Sequence, residues 1–413
     1  MKKLQLTTKI FIGLILGVIV GMLLQGNPDI AVKFIKPFGT LFLNLIKMII
    51  VPLVFSSLIV GAASIGDPKS LGRIGGKTLG YYMVTTAIAV TIGLVLSKVF
   101  TPGAGLTIPV DATAEAVEAP ALVDTLINII PKNPLQGIVS GNILQVIAFA
   151  LFMGIGCTAL PDDKSKPFIA FFDSVAEIMY KITAFIMMLA PFGVFALIVP
   201  VVATYGLDVL LPLAKVIVVV YIGCILHALI TYSTAVKLFA KIGVSKFFKG
   251  IAPAAVTAFS TTSSSGTLPV TISSTRENLG VSERISSFVL PLGATINMDG
   301  TALYQGVCAL FLAQVYGIDL TLGQMMTIVL TATLGSIGTA GVPGAGFIML
   351  TLVLQSVGLP LEGLVLIGGI DRILDMARAS LNVIGDASCA VVVAATENEI
   401  DFDLASEKVA LAE

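Results

Sequence analysis

The sequence predicts an all-α polytopic membrane protein of eight transmembrane helices plus two re-entrant helical hairpins, its second half built as inverted repeats. Three observations carry that prediction. Of 413 residues, 56% are hydrophobic and 12% charged, with a mean hydropathy of +1.01; a soluble protein carries about twice that charged fraction. Apolar runs of spanning length recur along the chain. Two further apolar segments are interrupted at mid-length by small and polar residues.

The first run follows basic residues in "MKKLQLTTKIFIGLILGVIVGMLL", a pattern shared with signal peptides. It has no small-residue cleavage site and is long enough to cross a bilayer, so it reads as the first transmembrane helix. Spans are expected at 9–27, 31–65, 77–100, 139–160, 165–203, 207–241, 284–316 and 362–396. Several exceed the roughly 20 residues of a perpendicular crossing and are expected to tilt. Lysine and arginine set the sidedness. With the N-terminus inside, "DPKSLGRIGGK", "PDDKSKP", "KLFAKIGVSKFFKG" and "TRENLGVSER" also fall inside, and only Lys132 breaks the rule. That accounting requires both interrupted segments, 247–275 and 322–357, to enter and leave on one side. It predicts a multi-pass plasma (inner) membrane protein with both termini cytoplasmic.

The hairpins contain "FSTTSSSGTLPVT" and "GSIGTAGVPGAGF", with Pro269 and Pro343. A single such break reads as a kink. Two in matching positions point to a transporter's binding site, because irregular backbone at membrane depth persists only where protein or a cavity satisfies it. The helix at 284–316 is broken in turn by "LGATINMDGTALYQG". Asn297, Asp299, Gly300 and Thr301 favour a turn there. Unwinding frees backbone carbonyls, hard ligands for a small cation, and Asp299 supplies charge. A capping role alone does not call for a carboxylate at mid-membrane.

The final apolar segment holds "DRILDMARASLNVIGD". An ionisable residue at bilayer depth costs at least about 2.5 kcal/mol, so it faces protein or a pathway. At about 100° per residue, Asp371, Asp375, Arg378, Asn382 and Asp386 fall within an arc of roughly 80°. Part of this stripe can be an internal salt-bridge network. Its three carboxylates and one arginine leave negative charge for a bound cation to balance, with Arg378 offering its planar fork to a ligand carboxylate.

Other classes fit poorly. Cys157, Cys224, Cys308 and Cys389 lack metal-ligand or disulfide spacing, and no basic tract suits nucleic acid. An intramembrane aspartyl protease needs Gly-x-Gly-Asp, but Val383-Ile384-Gly385-Asp386 lacks the first glycine. His227, the sole histidine, lies in "YIGCILHALI" with no serine-dyad context and reads as a packed or hydrogen-bonded residue. Lys47, Lys181 and Lys215 are expected to snorkel or to pair with carboxylates such as Asp173 and Glu177.

"SSSGTLPVT", "NMDGTALYQGV", "GTAGVPGAG" and "ILDMARASLNVIGD" resemble the signature segments of the dicarboxylate/amino acid:cation symporters, the glutamate transporter family. The resemblance covers nearly the whole chain. It implies the elevator-type fold of a homotrimer in membrane lipid, with scaffold helices over 1–76 and 101–206. The transport domain would comprise 77–100 and 207–413, with the second hairpin as its gate. By motif, Arg378 would bind the substrate's side-chain carboxylate and Asp375 its amino group. Asn382, Ser264, Thr301 and the backbone near Val342 and Gly346 would hold the α-carboxylate. One sodium site would take Asp386 with carbonyls of Gly293, Asn297 and Asn382. A second would take backbone around Ser336, Ile337 and Thr339, and a third Asn297 and Asp299 with Tyr82, Thr85 and Thr86.

Three positions depart from the pattern: Ala379 where threonine is common, and Thr262 and Met376 where an additional arginine alternates. Arg372 projects away from Arg378 on the helical wheel and is assigned no role. The expected function is sodium-driven uptake of an acidic amino acid, L-aspartate or L-glutamate. A proton-coupled carrier and a C4-dicarboxylate symporter are the alternatives.

Overall fold

A computed structural model describes residues 6–63, 71–106, 127, 130–140, 143–337, 339, 341 and 343–401. Among these the protein is all-helical, and its only strand-like feature is an isolated antiparallel bridge between Val281 and Ile400. Val342 and the whole of the loop over 107–126 lie outside the described residues.

Helix α1 (Leu6–Leu23) packs on α6 (Ala190–Tyr205), and α2 (Lys36–Ala63) packs on α4 (Ile143–Thr158), α5 (Asp162–Met188) and α6. These helices and the turn leading into α2 expose large apolar side chains, among them Ile15, Leu16, Phe34, Phe38, Phe171 and Phe192. Apolar surface on that scale needs a non-aqueous covering, consistent with a membrane protein.

The run expected as one helix over 165–203 is instead two, α5 and α6, broken at Leu189. The physical reason is Pro191, which has no N–H to continue the ladder and disfavours helical conformation in the residue before it. At the break the Leu189 N–H turns to the Ile186 carbonyl, 2.9 Å away, a tighter turn than the α-helical one.

The remaining elements assemble around α14 (Leu364–Thr396), all but Leu322–Ser336 in direct packing contact with it. They are α3 (Leu71–Phe100), α7 (Leu210–His227, prolonged by π turns to Ala240), the pair α8 (Val244–Thr261) and α9 (Ser264–Leu279), α10 (Glu283–Ile296), α11 (Asp299–Val315), and the pair α12 (Leu322–Ser336) and α13 (Ala345–Ser356). The apolar window of α14 is 78% buried, against 39% for the span Arg73–Phe100 and 44% for Gly206–Ala240, so α14 is the axis of this half. Contact between the two groups of helices runs chiefly through α14 against α6.

Each expected interruption is present. The pair α8/α9 turns at Thr262, which adopts a left-handed conformation (φ 55°), and Ser263 caps α9 by accepting the Gly266 N–H at 2.9 Å. Asn297 is extended (φ −89°, ψ 100°) and separates α10 from α11. Thr321 and Gln324 form a capping box that starts α12. Beyond Ser336 the helix stops, and the chain re-enters a helix after Gly344 (φ 83°).

Candidate functional site

The three broken segments bring helix ends together beside the middle of α14. Helices α8, α10 and α12 arrive with their C-termini, while α9, α11 and α13 leave with their N-termini. C-terminal carbonyls carry partial negative charge and favour cations; N-terminal amides favour anions. One small volume therefore offers both kinds of end without any charged side chain.

The tips touch. The Ser263 hydroxyl donates to the Gly341 carbonyl at 2.6 Å, and the Ser265 amide donates to the same oxygen at 3.1 Å. The two hairpin tips are thereby joined by hydrogen bonds. A narrow cavity beneath them is lined by Thr262, Ser264, Met298, Thr301, Gly341, Gly346, Asp375, Ala379 and Asn382. Ser264, Thr301, Gly346, Asp375 and Asn382, five of the expected substrate ligands, meet there.

Arg378 lies behind this cavity, bonded to Asp375 of its lining. Its side chain is fully buried, with the guanidinium 4.0 Å from the Tyr304 ring centroid. A Cβ on Gly346 would lie 3.2 Å from the guanidinium carbon, so only glycine lets α13 approach this closely without displacing it. The expectation of a free fork needs correction. One terminal nitrogen of Arg378 donates to Asp371 at 2.9 Å and the other to Asp375 at 2.6 Å, leaving Nε without a partner. Burial is the cause: a guanidinium out of water is stable only when paired. Asp375 also accepts the Gly344 amide at 3.2 Å, tying the start of α13 to α14. Arg372, assigned no role on sequence grounds, reaches the same carboxylate at 3.6 Å.

One to two turns further along α14 lies a second polar group. Asn382 accepts the Gly300 amide at 2.8 Å, satisfying a donor at the start of α11 that has no partner within that helix. A Cβ on Gly300 would stand 2.5 Å from the Arg378 carbonyl oxygen, which requires glycine at that crossing. Asn297 spans the break, donating to the Asn382 carbonyl at 3.0 Å and to Asp386 at 2.8 Å, while its own Oδ1 is buried without a partner. A Cβ on Gly293 would overlap both the Tyr82 hydroxyl and the Asp386 carboxylate, so these groups surround one point. An anionic oxygen, an orphaned amide oxygen and nearby carbonyls form a hard oxygen set that suits a small cation.

Asp299 is fully buried and meets three side chains from two other helices. The Thr86 hydroxyl donates to it at 2.6 Å and the Tyr232 hydroxyl at 2.7 Å, and His227 Nε2 lies 3.2 Å away. Thr86 is thus at Asp299 as expected. Tyr82 and Thr85 are not among the side chains bonded there: the Tyr82 hydroxyl donates to the Val289 carbonyl at 3.3 Å, beside Asp386, and Thr85 donates to the Tyr82 carbonyl at 3.3 Å. The helical period of α3 explains this, since consecutive residues diverge by about 100°.

Sequence reasoning misses His227 and Tyr232 as members of this cluster. His227 is hydrogen-bonded, as expected of it, but its carboxylate partner lies 72 residues along the chain. Their convergence depends on the π turn over Ala228–Tyr232, which no propensity announces. At the end of α12, Ser336 and Thr339 donate to backbone carbonyls of Thr333 (2.7 Å) and Gly335 (2.6 Å), and the Ile337 amide to Leu334 (3.2 Å). These bonds orient both hydroxyls, and each oxygen keeps its acceptor lone pairs.

Comparison with known proteins supplies the context for this geometry. Residues 6–396 match the model of the sodium:dicarboxylate symporter family. The chain belongs to that family. It is 42% identical over 420 residues to a proton/sodium-glutamate symport protein of Geobacillus stearothermophilus, covering 99% of each chain. It is 40% identical to a proton/glutamate-aspartate symporter of Escherichia coli, covering 97% of this chain and 94% of the relative. A C4-dicarboxylate transport protein of Bacillus subtilis is 36% identical over 96% of this chain and 94% of its own. This symporter is a transporter, not an enzyme.

Proposed function

We propose that the protein couples sodium influx to uptake of an acidic amino acid, L-aspartate or L-glutamate, through an elevator motion of α3 and α7–α14 against α1, α2 and α4–α6. The observation that carries this reading is the pairing of Arg378 with Asp375 at the edge of a cavity that also presents Ser264, Thr301 and Asn382. A substrate carboxylate entering between them can take over the bond from Asp375 to Arg378 Nη2. Asp375, released, then has a partner in the substrate's ammonium. A plain dicarboxylate brings no such partner.

Ser264, Thr301, Asn382 and backbone near Val342 and Gly346 would hold the α-carboxylate, aided by the N-termini of α9 and α13. The cations would be taken by Asp386 with Gly293, Asn297 and Asn382 oxygens, by backbone at Ser336, Ile337 and Thr339, and by Asp299 with Asn297 and Thr86. The relatives' names include both proton and sodium coupling; the orphaned oxygen of Asn297 beside Asp386 favours sodium, because a proton has no use for a surrounding oxygen shell. The second hairpin would act as gate, its closed form held by the Gly341 and Gly344 bonds. The same reading assigns a homotrimer in the plasma membrane.

The test is uptake of radiolabelled L-aspartate and L-glutamate into proteoliposomes under an inward sodium gradient or an inward proton gradient without sodium. Sodium-dependent uptake that falls at least about 100-fold in Arg378→Ala is expected, since the change strands two buried carboxylates at about 3–5 kcal/mol. Uptake driven by protons alone would remove the sodium sites from the proposal. No uptake under either gradient would overturn the substrate assignment.

A further inference from the structure

The substrate end of α14 carries two guanidinium groups, not one. Arg372 Nη1 lies 3.6 Å from Asp375 Oδ2, and the two side chains are 12% and 9% exposed. Asp375 Oδ1 meets Arg378 at 2.6 Å, and Asp371 meets Arg378 at 2.9 Å. Asp371, Asp375, Arg372 and Arg378 therefore form a quartet with no net charge.

Arg372, Asp371 and Asp375 together line one side of a narrow cleft that Phe42, Ala190 and Val194 of the neighbouring helices also line. Holding a cation against those apolar side chains requires charge compensation, which Asp375 provides. A plain surface pairing would leave both side chains in water, where such pairs are worth little. Here both are largely withdrawn from it.

We propose that Arg372 is a specificity-determining residue: by compensating Asp375 it lets the site accept a C4-dicarboxylate as well as an acidic amino acid. With Arg372 present, a dianion lacking an ammonium meets a neutral quartet. Without it, the same dianion meets a quartet of charge −1, while an amino-acid substrate brings its own cation to Asp375. The ratio of the two affinities is then set by a residue that need not touch either ligand. The inference rests on the acidic-amino-acid reading of this site and goes beyond it in naming the residue that sets the balance between that substrate and a dicarboxylate.

The experiment uses the full chain in proteoliposomes under an inward sodium gradient. It measures the KM for L-aspartate and the inhibition constant of succinate for wild type, Arg372→Gln and Arg372→Lys. Wild type is expected to be inhibited by succinate. In Arg372→Gln the ratio of the succinate constant to the aspartate KM should rise about tenfold, the order expected for removing one nearby charge in a partly desolvated site. Arg372→Lys, which keeps the charge and loses the planar fork, should stay near wild type.

A ratio unchanged in Arg372→Gln, or both constants rising in parallel, overturns the proposal and leaves Arg372 a structural pairing. Succinate without effect on wild type overturns it as well. Should Arg372→Gln fail to fold, Arg372→Lys decides: a ratio shifted tenfold despite the retained charge overturns the electrostatic argument. Absence of aspartate uptake by wild type removes the underlying reading itself, which separates that failure from the others.

Discussion

The two ends of the polar stripe on α14 hold the same residue type in opposite circumstances. Asp371 and Asp375 face the guanidinium groups of Arg378 and Arg372, and their charge is cancelled by the chain itself. Asp386 and Asp299 meet only neutral side-chain donors or His227: Asn297 for the first; Thr86, Tyr232 and His227 for the second. Hydrogen bonds orient a buried carboxylate and soften its desolvation, but they supply no full opposing charge. At the arginine end the charges balance without a visitor, although Arg378 Nε has no partner, and the carboxylates must exchange partners to admit one. The other end has carboxylates held by hydrogen bonds alone, with no arginine or lysine beside them among the described residues. Under the proposed function, that difference would separate a substrate site beside Arg378 from a cation region formed by Asp386 of α14 and Asp299 of α11, and it gives a physical reason for coupling the two: a body carrying uncompensated carboxylates is costly to move through hydrocarbon.

The strongest way to break the comparison is Asp386→Asn, which removes charge from the cation end alone. The sodium concentration giving half-maximal uptake should rise tenfold or more (about 1.4 kcal/mol or above), with aspartate affinity recovering at saturating sodium. Loss of aspartate binding that sodium cannot restore would mean the two ends are one site.

Tyr232→Phe comes next. It deletes a donor to Asp299 and should lower thermal stability by about 1–3 kcal/mol, the cost of an unsatisfied buried acceptor. Thermal unfolding with and without sodium sharpens the point: sodium should narrow the deficit if Asp299 faces a cation, and leave it unchanged if Asp299 is only a structural link between α7 and α11.

Ser263→Ala should have a smaller effect. It removes one of two bonds joining the hairpin tips, worth about 0.5–1.5 kcal/mol, together with the N-cap of α9, worth about 1 kcal/mol, and should raise the substrate KM a few-fold with little change in sodium dependence. An unchanged KM would argue that the tip contact does not help close the site.

The smallest effect belongs to the end of α14. Glu397 pairs with Arg73 and with Lys77 (2.6 Å), while Glu399 pairs with Arg284 at 3.0 Å and bonds the Ser282 hydroxyl. Hydrogen bonds from Lys77 and Arg73 hold the Glu397 carboxyl below its ordinary range. A group whose folded value is depressed stabilises the fold above its unfolded value, about 4.3, and that contribution is lost as pH falls through the folded value. Glu397→Gln should therefore cost little at neutral pH, because the partners are partly solvated, and nothing at strongly acid pH. Thermal unfolding of both proteins from neutral to acid pH checks the convergence.

Much of this arrangement is legible in the sequence because its signals are local. The breaks at Thr262, Asn297 and the segment after Ser336 arise from short runs of small, hydroxyl and turn-forming residues inside apolar helices. The one-sided placement of Asp375, Arg378, Asn382 and Asp386 comes from helical periodicity. The break at Leu189 is equally local, signalled by Pro191 and obscured only by the continuous hydropathy around it. The role of His227 is different in kind. A π turn rotates the C-terminal part of its helix by an amount that no residue type specifies, so the meeting of His227, Tyr232, Thr86 and Asp299 is a product of three helices packing together.

The membrane class, the broken helices and the residues that carry charge into the bilayer are all written in the amino-acid order, because burial, periodicity and turn chemistry act over a few residues at a time. Which of those charges cancel is not written there; packing settled it. The packed helices drew Arg378 onto two carboxylates, brought Arg372 to Asp375, left Asp386 with Asn297 as its bonded side chain and gave Asp299 only Thr86, Tyr232 and His227. Pairing depends on distances of a few ångströms between side chains, and those are set by how helices cross and not by the order in which residues are strung together.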